Sequence, residues 1–207
     1  MRSSEDSGGA QWMKSGRGVL HTERNLLERA DTMHGLQIWA RLPLAEQDAE
    51  PDYRAIQASE IPSWSRGGAR LRLLAGEKEG QRGPIPITMP SLMTHVSLEG
   101  AESFQLGGLD PRHEYGVYVI SSSGELSLDG EAPVERGTMV RLPSGAAALE
   151  ARLVEGGQTE LFVLGGERAP RPLEFGGPFV LDNSLAIAEA NRRFLAGEMG
   201  TLDGVPF

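Results

Sequence analysis

The sequence predicts an all-β protein closed by one C-terminal helix. Three observations carry that expectation. Between residues 92 and 164, short alternating apolar and polar runs recur, separated by turn signals such as Asp129-Gly130 and Pro143-Ser144-Gly145. Glycine (27) and proline (13) are plentiful among 207 residues, which favours many turns. Residues 184–196 show the one convincing helical period.

Composition narrows the function classes. A chain of 207 residues allows one large or two small domains and can bury a sizeable core. The formal net charge of −9 repels phosphate backbones, so no direct nucleic-acid binding is expected. There is no cysteine, hence no disulfide, thiolate metal site or thiol nucleophile. The start has no apolar leader, and no run approaches membrane-spanning length. The expectation is a soluble, cytoplasmic protein with no membrane association.

Taken in order, residues 1–10 are small and polar and are expected to be disordered. Gly16-Arg17-Gly18 permits a tight entry into a strand over residues 19–23. In a strand, residues two apart share a face, so His21 and Glu23 would project together as neighbouring ligands of one metal ion. Spacing alone is a weak signal for that; an H-x-E pair is more often unrelated surface polarity. His34 reads as a loop residue. Residues 36–42 alternate, with Leu36, Ile38 and Ala40 against Gln37, Trp39 and Arg41, and Pro43 ends that strand.

Residues 45–65 are polar and read as a connection, with a helical turn over 53–58. Residues 69–75 form a strand with Leu71 and Leu73 on one face, and 76–83 a charged surface loop. Strands follow at 92–98, 103–106, 115–121, 125–128, 138–142, 149–154 and 160–164, a spacing that suggests a sandwich or jelly roll. Residues 161–164 are continuously apolar and expected to be buried on both faces. His113 reads as an exposed loop residue and His95 as structural. In the helix, Ser184 would cap, Gly197 would end it in a left-handed turn, Ile187, Ala190 and Phe194 would face inward, and Glu189, Arg192 and Arg193 outward. The tail from 201 to 207 is expected to be loosely ordered. No P-loop, G-x-S-x-G, dinucleotide fingerprint or heptad run is present.

The pattern QWM-x-x-GRG-x-x-H-x-E from Gln11, then HGLQIW, Glu50-Pro51, Ile61-Pro62 and Gly176-Gly177-Pro178-Phe179-Val180, resembles the pirin family over residues 11–197. The resemblance implies two cupin-like, jelly-roll lobes, with a metal site in the N-terminal one. That site usually holds iron (Fe2+) through three His and one Glu. Its last two ligands match His21 and Glu23; its first two come from an H-x-H segment, and no His precedes Gln11 here. The expectation is a truncated or mis-started chain, or a variant with half a site. Residues 1–60 would form a partial N-terminal cupin, and 61–200 the C-terminal cupin with its terminal helix. Iron would be weakly held or absent. A metal-binding cupin would carry two His one residue apart near His113, so the second lobe is expected to be metal-free.

Three functional readings follow. One is a regulatory module that binds a protein partner and has an incomplete iron site. Another is an iron-dependent, quercetin 2,3-dioxygenase-like enzyme acting on a flavonol-like small molecule, with Glu23 as the catalytic proton acceptor and the missing ligands supplied by upstream sequence or another chain. The third is a metal-free scaffold. Unpaired strand edges beside residues 19–23 and 36–42 would further invite a homo-oligomer.

Overall fold

In unit-long stretches of period-two sequence, the buried side chains alternate as the pattern requires. The computed structural model describes residues 8–23, 34–99, 103–131, 133–154 and 157–202. The expectations for residues 1–7 and 203–207 lie outside them. The strands are β1 (Ala10–Lys14), β2 (Asp52–Ile56), β3 (Ser63–Arg66), β4 (Ala69–Ala75), β5 (Glu77–Lys78), β6 (Gln81–Arg82), β7 (Ser91–Glu99) and β8 (Ser103–Gly107). They continue with β9 (Glu114–Ser122), β10 (Glu125–Leu128), β11 (Met139–Arg141), β12 (Ala148–Val154), β13 (Gln158–Gly166), β14 (Glu174–Gly176) and β15 (Phe179–Leu181); one helix follows, α1 (Ser184–Leu195). The protein is therefore mostly β with a single helix among the described residues.

The chain divides into two compact units. The first takes Met1–Trp12 and Arg54–Arg168, the second Met13–Tyr53 and Ala169–Phe207. The helix and the β14–β15 hairpin thus group with the early segment that carries His21, not with the strands β3–β13. The first unit is a β-sandwich. A six-stranded antiparallel sheet, in the order β11-β9-β13-β7-β4-β3, faces a three-stranded sheet, β10-β12-β8. Leu71, Val96, Val117 and Leu161 from the larger sheet pack with Leu106, Leu126, Leu149 and Leu153 from the smaller in one apolar core. In β4, Ala69, Leu71, Leu73 and Ala75 are buried while Arg70 is exposed, as alternation predicts. β13 is central, between β7 and β9, and Leu161, Phe162 and Val163 are all buried. Asp129 and Gly130, both at positive φ, make the tight hairpin turn their sequence signals, with the Leu128 and Glu131 backbones exchanging hydrogen bonds across it.

Several local expectations are corrected. Gly165 and Gly166 lie inside β13 rather than in a turn. A Cβ at Gly165 would overlap Glu114 and Tyr115, so the glycine permits close strand approach instead. Residues 76–83 are a small β5–β6 hairpin turning at Glu79 and Gly80. Residues 53–58 are not helical: β2 covers most of them, and a 3-10 turn follows at Ala58–Glu60. The period was readable, because Asp52 and Arg54 are exposed while Tyr53 and Ala55 are half-buried. Residues 19–23 and 36–42 are not in strands. Alternation alone does not make a strand; a ladder partner does, and none pairs with them among the described residues.

In the second unit, α1 is capped by Asn183, one residue before the expected Ser184: its side-chain oxygen accepts from the Ala186 N–H at 2.9 Å. Gly197, at φ 74°, ends the helix as predicted. Its N–H reaches Phe194 O, and the Glu198 N–H reaches Arg193 O, closing the left-handed cap. The Gly-Gly-Pro-Phe-Val segment is the β14–β15 hairpin on which the helix packs. Phe179 meets Phe194 edge-on at 6.4 Å, and a Cβ at Gly176 would overlap Ile187. Arg193, expected to face outward, is half-buried and paired with Asp48 and Glu198.

Candidate metal centre

The loop before His21 is shaped by backbone contacts that only small residues allow. Gly16 sits at φ 49°, and a Cβ there would overlap the Ala49 carbonyl. The Arg17 N–H donates to that same carbonyl at 2.9 Å, and its guanidinium pairs with Glu50 at 2.7 Å. Gly18 N–H closes a turn onto Ser15 O at 2.8 Å, and Leu20 N–H donates to Met199 O at 3.1 Å. His21, Thr22 and Glu23 then stand exposed.

His21 Nδ1 and Glu23 Oε1 are 3.9 Å apart, with 43% and 63% of their side chains exposed. The structure therefore brings the two sequence-predicted ligands together without the strand expected to do so. Donors about 2.0–2.2 Å from one ion stand about 3 Å apart when cis and about 4 Å when trans. An imidazole nitrogen and a carboxylate oxygen are donor types that divalent iron accepts, and 3.9 Å lies near the wider of these separations. Among the described residues no group of three or more His, Asp or Glu side chains could hold a metal.

The other histidines lie elsewhere. His34 is exposed. His95 is in β7, its ring 3.9 Å from Glu160, and burial pushes its pKa below the usual imidazole value. His113 is not the exposed loop residue expected: its side chain is 15% exposed. Nδ1 lies 3.5 Å from the Tyr115 hydroxyl and Nε2 3.9 Å from Asp110. Asp110 is itself gripped by Arg112, whose guanidinium and N–H hold its carboxyl well below the usual range. Both histidines belong to the first unit; His21 and Glu23 belong to the second.

Sequence reasoning missed the supports. Arg41 donates to Asp182, and Gln47 Nε2 donates to the other Asp182 oxygen at 3.0 Å, tying residues 36–47 to the end of the β14–β15 hairpin. Their side chains are 10% and 4% exposed for the ion pair. Nothing local in the sequence links positions 141 residues apart. The Ala49 and Met199 carbonyls were equally invisible, because a backbone acceptor has no residue signature; only Gly16 and Gly18 hinted at close neighbours.

The pirin family model matches residues 2–40. A pirin-like protein of Caulobacter vibrioides is 30% identical over 192 residues, covering 91% of this chain and 63% of that protein. Rat pirin is 28% identical over 188 residues, 88% of this chain and 62% of its own length. A Pseudomonas aeruginosa protein named "Putative quercetin 2,3-dioxygenase" is 30% identical over 201 residues, with 92% and 67% covered. The crystal structure of a quercetin 2,3-dioxygenase from Acinetobacter baumannii superposes with a TM-score of 0.84 at 29% identity, over 94% of this chain and 68% of that one. The chain thus spans somewhat under two thirds of the Caulobacter and rat proteins. Its sandwich is a cupin sandwich, and the chain belongs to the pirin family.

Proposed function

We propose that this chain is a regulatory, protein-binding cupin module whose iron site is incomplete, with His21 and Glu23 as its two ligands. The observation that carries the reading is the exposed His21–Glu23 pair at 3.9 Å with no third His, Asp or Glu beside it among the described residues. Two ligands leave most of an octahedral shell to water, so affinity is low and chelators strip the ion. In this reading residues 1–60 supply the partial N-terminal cupin and 61–200 the C-terminal one. An apolar interior supports a structural, metal-free role for the latter, since Leu71, Val96, Leu126 and Leu161 fill it.

A second reading is favoured by the two relatives whose names carry quercetin 2,3-dioxygenase. Were the missing ligands supplied by further sequence or another chain, a flavonol-like substrate would be the target. Bound iron would supply Lewis acidity to its oxygens. Glu23, the more exposed of the pair, would accept the substrate's hydroxyl proton.

One experiment separates the readings: elemental analysis of the dialysed protein, oxygen uptake with quercetin, and His21→Ala as control. Well under one iron per chain and no oxygen uptake are expected. Stoichiometric iron that disappears in His21→Ala overturns the incomplete-site reading and makes the dioxygenase reading the leading one.

A further inference from the structure

Met199 is one of two buried apolar residues described in the second unit; the other is Ala190. It lies just beyond α1, in the turn Gly197-Glu198-Met199-Gly200, where both glycines have positive φ. Two of its groups touch the segment that presents His21 and Glu23. Its carbonyl accepts the Leu20 N–H, one residue before His21. Its side chain lies over Gly18, so that a Cβ there would stand 2.6 Å from both Met199 Sδ and Cε. Gly18 itself has φ 112°, a conformation that a side chain would strain.

We propose that Met199 is a positioning residue for the His21–Glu23 pair. Its backbone fixes the chain direction at Leu20, and its thioether fills the space that Gly18 leaves open. The inference rests on the reading of His21 and Glu23 as metal ligands and extends it to the C-terminal turn.

The physical case is one of constraint. His21 and Glu23 are exposed and lie in no strand. No sheet ladder holds them, so their mutual geometry depends on what holds the backbone upstream. On one side that is Ala49, through Arg17; on the other it is Met199. The turn is in turn anchored to the helix: Glu198 pairs with Arg192 at 3.1 Å and with Arg193 at 3.6 Å. Partners beyond the ligands orient them, and their loss typically weakens metal binding.

The test uses the intact chain and Co2+ alone as probe. Binding is followed by the His21 imidazole signals in 15N-labelled protein. Met199→Ala is expected to weaken Co2+ binding at His21 on the order of tenfold and to shift the metal-free His21 signals. Met199→Leu, which refills the volume, restores both. A change in thermal stability without either effect marks Met199 as merely structural and overturns the proposal. Should Met199→Ala fail to fold, hydrogen exchange at the Leu20 amide of the intact chain decides. Coupling between the turn and the ligand pair requires that Co2+ slow this exchange, and that His21→Ala abolish the slowing; unchanged exchange overturns the proposal. If Co2+ leaves His21 untouched in the intact chain, the metal-ligand reading fails separately. Positioning is then judged on the metal-free His21 signals, which Met199→Ala must shift and Met199→Leu restore.

Discussion

The two units are held together by different physics. The first is a sandwich whose interior is almost wholly aliphatic, with Leu73, Val96, Leu126, Leu149 and Leu161 fully buried. Its strands are joined by continuous antiparallel ladders. Among its described residues the second buries little apolar surface, and these segments are tied by polar contacts: Arg41–Asp182, Gln47–Asp182, Arg17–Glu50, Arg193–Asp48 and Lys14–Glu46. The candidate ligands lie in the second. In the proposed reading the chemistry lies in the less regular unit, while the regular one is a scaffold in its composition and its packing. This is the usual division of labour between loops that carry function and a rigid framework.

The largest effect should come from the core of the first unit. Leu161→Ala empties a fully buried site on the central strand β13 and should cost about 2–5 kcal/mol in urea unfolding. The matching truncation in the second unit, Trp39→Ala, removes a side chain that is 63% exposed and should cost under about 0.5 kcal/mol. A Trp39→Ala cost near that of Leu161→Ala would break the comparison. It would mean that residues 36–42 are packed in solution by a second copy, the homo-oligomer anticipated from unpaired edges beside them. Light scattering of the two variants would then differ as well.

The polar tie of the second unit is next. Removing Arg41 leaves the Asp182 carboxylate, 4% exposed, with Gln47 as its remaining described partner. Stranding a buried charge costs more than the pair itself contributes, so Arg41→Ala should lose about 3 kcal/mol. The pair is not well compensated to begin with, since Arg41 Nε and Nη1 are buried without partners among the described residues. Arg41→Met combined with Asp182→Asn should therefore recover most of the loss. A double variant as unstable as Arg41→Ala alone would show that the ion pair, not the avoidance of a stranded charge, holds the hairpin to residues 41–47.

The same contrast explains what was legible in the sequence. Strands β4, β7, β9, β10 and β12 could be read because each buries one face, and burial writes itself as alternation; β13, buried on both faces, could be read from its continuous apolar run. The helix was legible for the same reason, down to Gly197 as its stop. The cap slipped by one residue because Asn183 and Ser184 are both competent caps and only geometry chooses between them. Residues 36–42 carry the alternation without the ladder, and 19–23 follow a tight glycine entry without one, so pattern alone promised strands that the described residues do not form. His21 and Glu23 were legible as a pair through the family resemblance. Their supports were not, because Ala49 and Met199 act through carbonyls, and Arg41 and Asp182 meet across 141 positions. His113 was misjudged because its neighbour Tyr115, a buried strand residue, draws the ring inward.

The smallest predicted effect is a pH dependence that belongs to the scaffold. His95 sits on β7, directly across from Arg72 on β4 and Phe162 on β13. Its side chain is 18% exposed. Burial pushes its pKa down, and Arg72 and Arg70 push the same way, while Glu160 at 3.9 Å pulls it back up. The folded value thus lies below the unfolded one, which is about 6.5. Below that pH the unfolded chain takes up a proton that the folded chain resists, so the unfolded state gains. The stability contributed by neutral His95 is therefore fully present above about pH 6.5 and is lost progressively as pH falls toward the folded pKa. Urea midpoints at falling pH across that window should decline in the wild type, and His95→Gln should flatten the decline. Glu160→Gln removes the one group that favours the charged ring and should steepen it. A decline that survives His95→Gln unchanged would assign the acid sensitivity to carboxylates that arginines hold below their usual range, Asp110 beside Arg112 first among them.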